Sequence, residues 1–565
     1  MRAKRIDGIA VGLAAAIAGL LFLQHRLVAH ASYVPDEFLH VAWAGDLHAG
    51  VHAYAADALG KTRLSIALFR FAYYLGDHTE QVLWINRHLV WLFVVLSLFC
   101  LFAIAREVFH NTHGALWAVV WTLLCTTFIE RSFRIRSDMI ATFLALLAVH
   151  SYLSLGSWRR TAVAGLWLGL AFCTTQKSVY FIAAFCIAYA AAGRKCLSRP
   201  VRDFLIFTAA GVLVFLIYLL VFGRGGYYIE VLKKTFLEDL AVKAALGTSF
   251  QEYFDTHWHY HVQTFVRNIA FYCLSFIGLT WALMRWRQHR PEQNFVAIYS
   301  LAVLIFIFFH RSPWPYVFIL VIPFLGIYAG WLSVRIQQAL EQAPRLLLAP
   351  ALALLLVTAV DAILRHKSHL SITNEAQLRA VRAAEAILGP KDTYYDGVRM
   401  IGTRRPASPV VLYVPTINRL VEHWETEGLE LMEELLRNRC KVVIYTHNCL
   451  AGLPEGFHRF LQAHYVLIDQ NVFVAGAEVT TSPAEVMLVW GGPYGVRVEG
   501  ECHDLTIDGK ATNPSAIVPL HAGRHSISFR GEATLLLLPI QAKRWIDTQP
   551  AQPRLDNLFW MQYSL

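Results

Sequence analysis

Eleven apolar runs, most of them near the length needed to cross the hydrocarbon of a bilayer, govern what this chain can fold into. They lie at about residues 8 to 31, 82 to 105, 114 to 130, 137 to 155, 160 to 176, 178 to 192, 203 to 222, 266 to 284, 294 to 310, 314 to 333 and 345 to 364. Roughly 20 helical residues cover about 30 Å, and in lipid the backbone must satisfy its hydrogen bonds inside helices or closed barrels. The chain therefore reads as a polytopic α-helical membrane protein of about 11 spans over residues 1–365, with long external loops at 32–81 and 223–265. Composition agrees: 56% of the 565 residues are hydrophobic and 16% charged, which excludes a disordered, collagen-like or soluble multidomain chain. Six of the nine cysteines fall in or beside spans and count as small apolar residues. No structural disulfide is expected.

The net charge of +10 is the odd feature of a chain that otherwise avoids charge. Arg2, Lys4 and Arg5 precede the first run, which is too long for a signal peptide and lacks a small-residue cleavage site, so it reads as a retained anchor with a cytoplasmic N-terminus. Alternating from there, Arg106, Arg159, Arg160, Arg194, Lys195, Arg199, Arg202, Arg285, Arg287, Arg290, Arg335 and Arg345 fall in short cytoplasmic turns. An odd number of spans then leaves the tail outside. Small-residue-rich spans and the character of the tail favour a bacterial inner membrane.

The tail reads as two soluble units. Residues 366–477 combine a helix over Thr373 to Leu388, stopped by Gly389-Pro390, with short strands such as Val410 to Val414, Val442 to Tyr445 and Tyr465 to Ile468, a small α/β pattern. Residues 478–565 carry strands such as Val486 to Trp490, Ser526 to Arg530 and Thr534 to Leu538 between Gly-containing turns, which predicts an antiparallel β-sandwich.

External charge carries the functional signal. Pro35 fits the first turn of a surface helix that Asp36 and Glu37 would begin. Lys61, Arg63, Arg87, Arg134, Arg136, Lys177 and Arg311 all fall on the outward side, against the positive-inside trend, and Glu130-Arg131-Ser132-Phe133-Arg134-Ile135-Arg136-Ser137-Asp138 is far more charged than an idle turn requires. Singly, each Asp-Glu or Arg is explained by a helix dipole or by snorkelling to headgroups. Jointly they describe an outward chamber that binds a membrane-borne phosphate beside a general base. Phosphate is held by Arg forks and Lys point charges, and a sugar leaving from phosphate needs charge neutralisation, so one carboxylate to deprotonate an acceptor hydroxyl suffices. Asp36 suits that base.

The order of these residues resembles the GT-C membrane glycosyltransferases, in the superfamily of protein O-mannosyltransferases and the lipid A aminoarabinose transferase. The resemblance is carried by Pro35-Asp36-Glu37, Lys61-Thr62-Arg63-Leu64, Asn86-Arg87, Arg136-Ser137-Asp138-Met139, Gly169-Leu170-Ala171-Phe172 with Gln176-Lys177, and Arg311-Ser312-Pro313-Trp314-Pro315-Tyr316. It implies an inverting transfer of a sugar from a polyprenyl-phosphate donor to a glycan, lipid or protein acceptor at the non-cytoplasmic face. Asp36, Glu37 and Asp138 are then the acidic catalytic set, and Lys61, Arg63, Arg87, Arg134, Arg136, Lys177 and Arg311 the donor-phosphate set. Thr62-Arg63 replaces the family's Pro-Pro pair, and the Leu520 to Gly531 stretch is not a standard family feature.

His257, His259 and His261 would share one face if their segment were a strand and could then hold zinc or manganese; interfacial anchoring is the alternative. A divalent ion is thus the one candidate cofactor. Beyond the bilayer and the sugar donor and acceptor no partner is implied, and nucleic acid is excluded. A transporter or flippase of a lipid-linked anionic glycan is the rival reading, but no inverted repeat supports it and the charges gather at one face.

Overall fold

The protein was analysed as a computed structural model that describes residues 2–50, 63–156, 158–192, 198–222, 250–310, 314–342, 348–412 and 414–559. Among the described residues each of the eleven apolar runs is helical, on one helix or on two consecutive ones. In chain order the helices of the membrane half are α1 (Arg2–His30), α2 (Pro35–His48), α3 (Arg63–Arg70), α4 (Thr79–Phe109), α5 (Thr112–Leu124), α6 (Thr126–Arg131), α7 (Ser137–Ser154) and α8 (Arg159–Thr174). They continue with α9 (Val179–Ala192), α10 (Ser198–Phe222), α11 (Phe250–Arg267), α12 (Ile269–Met284), α13 (Pro291–Phe308), α14 (Ile322–Gln342) and α15 (Leu348–Ser371). Among the described residues α1, α4, α7, α10 and α13 are each long and apolar enough to cross a bilayer unaided.

Three runs are not the single straight helices expected, one of them the run at 314 to 333, in which a 3-10 turn over Pro315–Leu320 precedes α14. The run at 114 to 130 breaks at Cys125, and the chain bends by 93° between α11 and α12. One side chain links both breaks. Asn268 lies at the second, and its Oδ1 accepts hydrogen bonds from the Thr126 backbone N–H (2.7 Å) and hydroxyl (2.9 Å), groups that begin α6 after the first break. Elsewhere the helices pack through small residues: a Cβ on Gly330 of α14 would lie 2.4 Å from the backbone nitrogen of Ala118 in α5, so the two backbones are in contact there.

The tail begins with α16 (Glu375–Ile387). Its first unit is a five-stranded sheet of order β2-β1-β3-β5-β4, built from β1 (Thr393–Tyr395), β2 (Arg405–Pro406), β3 (Cys440–Ile444), β4 (Tyr465–Asp469) and β5 (Val472–Ala475). Helices α17 (Val414–Glu422), α18 (Leu429–Arg437), α19 (His447–Leu450) and α20 (Glu455–His464) accompany it. Val410 to Val414 is not the predicted strand: the Leu412 N–H bonds the Gly397 carbonyl (2.7 Å), and α17 then starts with Pro415 in its first turn. The second unit is the expected sandwich, with sheets β10-β9-β12-β7 and β11-β8-β13-β6 drawn from β6 (Ala477–Val479), β7 (Ala484–Leu488), β8 (Gly492–Gly500), β9 (His503–Ile507), β10 (Lys510–Ala511), β11 (Ile517–Leu520), β12 (Gly523–Arg530) and β13 (Ala533–Pro539). The chain then returns to the first unit as α21 (Ile540–Thr548), whose Trp545 indole donates to Asp469 on β4.

The ends of α1 and α15 lie side by side. Ala31 and Thr373 form an antiparallel bridge, and the Asn374 N–H bonds the His30 carbonyl (2.9 Å). The first and last membrane helices therefore finish at the same end of the bundle, where α2 begins and the tail is seated.

Candidate active site

Val34 is extended and Pro35 supplies the first residue of α2, so the helix starts abruptly beside the end of α1. Asp36 and Glu37 are consecutive on it and, about 100° apart around the axis, face different surroundings.

Glu37 points inward and is fully buried. Its carboxylate accepts from Arg87 Nε (2.8 Å), Arg87 Nη2 (2.8 Å), Arg134 Nη1 (3.0 Å) and the backbone N–H groups of Val34 (3.0 Å) and Ile135 (3.2 Å). Arg87 is also fully buried and gives its other protons to the carbonyls of Val28, Ala31 and Ser32, with the Tyr33 ring 3.5 Å from its guanidinium carbon. Arg134 reaches the Ser32 and Glu130 carbonyls as well. The three charged groups thus tie the ends of α1 and α6, α4 and the start of α2 into one lock. Burial alone would raise the Glu37 pKa, but Arg87 and Arg134 outweigh it and hold the carboxyl well below the usual carboxylate range.

Asp36 points the other way, its side chain one third exposed. It pairs with Arg136 Nη1; Arg136 Nε reaches Asp138 Oδ2 (3.3 Å), and Asp138 Oδ1 accepts from Lys177 Nζ (2.6 Å). The ring of Tyr316 lies against both cations, 3.4 Å from the Arg136 guanidinium carbon and 4.6 Å from Lys177 Nζ. Asp138 is buried between its two cations, whereas Lys177 keeps a fifth of its side chain open. The result is an alternating string, Asp36, Arg136, Asp138, Lys177, with a neutral total and accessible groups at both ends. Beside it His40, one turn along α2, donates from Nδ1 to the Asp36 backbone carbonyl (2.7 Å).

The structure thus divides the residues that sequence grouped together. Asp36, Arg136, Asp138 and Lys177 meet in one string. Glu37, Arg87 and Arg134 bond one another and backbone carbonyls behind it, not an open chamber. Arg63 sits at the end of α10, where its Nη1 bonds the Phe222 carbonyl (2.8 Å). Lys61 and Arg311 lie outside the described residues. The three-histidine face does not form, because the segment belongs to the helix α11 and residues two apart point about 200° apart on a helix. His261 is buried against Phe308 and Phe318, His259 is exposed, and the side chain of His257 lies outside the described residues. Sequence reading assigned no role to His40 or His369, which no periodicity or charge run marks; it quoted Tyr316 only within the resemblance and Glu130 only within the charged turn, and Glu130 pairs with His369 (2.6 Å).

In fold the chain is similar to solved membrane glycosyltransferases of the GT-C type, and one segment of it matches a family model. Residues 64–222 match the family described as dolichyl-phosphate-mannose-protein mannosyltransferase, a segment that runs from α3 to the end of α10 and includes Arg136, Asp138 and Lys177. The structure is similar to that of ArnT from Cupriavidus metallidurans bound to undecaprenyl phosphate, with a TM-score of 0.56 at 14% identity over 83% of this chain and 98% of that one. It also resembles the Archaeoglobus fulgidus oligosaccharyltransferase in complex with Zn and sulfate, with a TM-score of 0.50 at 12% identity over 90% and 73% of the two chains. No curated protein sequence matches the chain.

Proposed function

We propose that the protein transfers a sugar, with inversion, from a polyprenyl-phosphate donor to an acceptor hydroxyl at the non-cytoplasmic face of a bacterial inner membrane. The observation that carries this reading is the string of Asp36, Arg136, Asp138 and Lys177, which sets an accessible carboxylate beside two cations at the end of the bundle where α1 and α15 finish. In one displacement the acceptor oxygen bonds the anomeric carbon as the carbon–oxygen bond to phosphate breaks. Asp36 takes the hydroxyl proton, and Arg136 and Lys177 neutralise the charge left on phosphate. Asp138, between those cations, keeps both in register. Glu37, Arg87 and Arg134 serve as the frame that fixes α2, and Lys61 and Arg311 join the donor set on the strength of the resemblance.

An apolar groove of about 340 Å³, lined by Phe265, Phe276, Leu304, Ile305, Phe308 and Phe309, suits the isoprenoid tail. Phe309 of its lining is followed in the chain by His310, whose Nδ1 lies 2.8 Å from the hydroxyl of Tyr180, three residues beyond Lys177. Because the ArnT structure was obtained with undecaprenyl phosphate, the same lipid class is proposed here. In this reading residues 1–365 are the transferase body, and the units 366–477 and 478–565 lie outside the membrane.

The test is to offer the protein, in nanodiscs, a panel of sugar-linked undecaprenyl phosphates together with glycan, lipid and peptide acceptors. Release of free undecaprenyl phosphate supports transfer; movement of the intact linkage across the bilayer supports the flippase alternative. Lys177→Met is expected to weaken undecaprenyl phosphate binding by about 10- to 100-fold, the worth of one charged hydrogen bond. Unchanged affinity in a direct titration would remove Lys177 from the donor site.

A further inference from the structure

The α/β unit of the tail grips both ends of the helix that carries Asp36. At the near end the Gln377 side chain pairs with both backbone groups of Tyr33, accepting from its N–H (2.7 Å) and donating to its carbonyl (2.9 Å) two residues before Pro35. At the far end Arg399 forks onto Asp46, with Nη1 and Nη2 at 2.7 and 2.9 Å from the two carboxylate oxygens. Arg399 itself has a left-handed backbone, φ 60°, in a loop tied down by Asp396, which accepts the N–H groups of Val398 (2.8 Å), Arg399 (2.6 Å) and Met400 (2.6 Å).

Between these grips the backbones touch. A Cβ on Gly45 of α2 would lie 2.5 Å from the Gly402 carbonyl oxygen and 2.7 Å from the Tyr73 hydroxyl, which donates to the Val41 carbonyl (2.9 Å). A 14-residue helix is marginal in water by itself, so its orientation depends on what it packs against. Its inner face is held by the Glu37 lock at the start and by the burial of Phe38, Leu39, Val41, Trp43 and Ala44 along its length, while Asp46 at its far end is held by the tail.

We propose that the tail acts as the clamp that orients α2, with Gln377 and Arg399 as positioning residues for Asp36. The inference rests on the reading of Asp36 as the base. A base displaced by about 1 Å costs roughly 10²-fold in rate, and the Arg399 fork, which reaches Asp46 from the tail, adds to the packing of α2 a charged hold at the end far from Glu37. The tail is then part of the catalytic apparatus of the membrane half.

The experiment uses the full-length protein in nanodiscs with two readouts, hydrogen exchange of the amides of residues 35–48 and release of undecaprenyl phosphate from a sugar-linked undecaprenyl phosphate. Arg399→Ala and, as an uncharged wedge, Gly45→Val are each expected to speed exchange of the α2 amides about tenfold or more, with β3 and β5 still protected. Each is expected to lower kcat by roughly 10- to 100-fold with the KM for donor unchanged, as loss of orientation predicts. The exchanged pair Asp46→Arg with Arg399→Asp should recover both. Unchanged α2 exchange in Arg399→Ala and Gln377→Ala, loss of protection throughout the tail in Gly45→Val, or failure of the exchanged pair to recover would each overturn the clamp. If α2 exchange responds as expected while the wild-type protein releases no undecaprenyl phosphate, the clamp stands and the transferase reading falls.

Discussion

Asn in place of Asp36 is expected to reduce sugar transfer by about 10²- to 10⁴-fold, the range typical of losing a positioned proton acceptor. The variant should remain folded. Asp36 is a third exposed and has Arg136 as its partner, and Arg136 keeps Asp138 when Asp36 becomes neutral. The amide has nearly the same shape and can still accept from Arg136, but it cannot take the hydroxyl proton. Undecaprenyl phosphate should therefore bind with near wild-type affinity while kcat collapses, a pattern that separates loss of the base from loss of the donor site. A purified Asp36→Asn protein that turns over at the normal rate would sink the assignment.

Changing Glu37 to Gln is expected to act on the fold, although the two residues are neighbours. Glu37 is fully buried and is the carboxylate shared by Arg87 and Arg134. Removing its charge leaves two buried guanidinium groups facing an amide that offers one acceptor oxygen and turns an NH₂ toward them. Breaking a buried ion pair in this one-sided way costs roughly 3 to 5 kcal/mol, which should appear as a marked fall in the thermal unfolding temperature in detergent. An unfolding temperature equal to wild type would show that the lock contributes nothing. The acid limb gives a second check. Because the folded carboxyl lies below its unfolded value, its contribution is present above the usual carboxylate range and is lost as pH falls through that range toward the folded value. Acid unfolding of the Glu37→Gln protein should accordingly be shallower than that of the wild type.

These two outcomes mark where sequence reading stopped. Asp36 and Glu37 are adjacent acidic residues at a helix start, and nothing in their spacing says which one faces the interior. Arg134 and Arg136 pose the same problem: two residues apart in one irregular turn, one closes onto Glu37 and the other onto Asp36. The orientation of each depends on the packing of α1, α4 and α6 behind the turn, residues distant in sequence. The histidines of α11 fail for a different reason. His257, His259 and His261 suit a metal only with the two-residue period of a strand, and a short aromatic-rich stretch does not declare its period. Val410 to Val414 likewise has strand composition, yet a carbonyl at Gly397 and the proline at 415 claim its backbone.

Hydrophobic length and charge placement were legible without coordinates, because the bilayer is a uniform solvent that imposes one requirement on every crossing segment. The eleven apolar runs, the helix start at Pro35 and the charged turn from Glu130 to Asp138 follow from that requirement and from the residues themselves, as does the ordered resemblance to GT-C glycosyltransferases. Tertiary structure alone decided the division of labour among the charges, the burial of Glu37 with Arg87 and Arg134, the open string from Asp36 to Lys177, and the hold of Gln377 and Arg399 on α2. Those contacts join residues up to 353 positions apart, and which of many similar charges meet is settled only when the helices pack and each buried charge must find its partner.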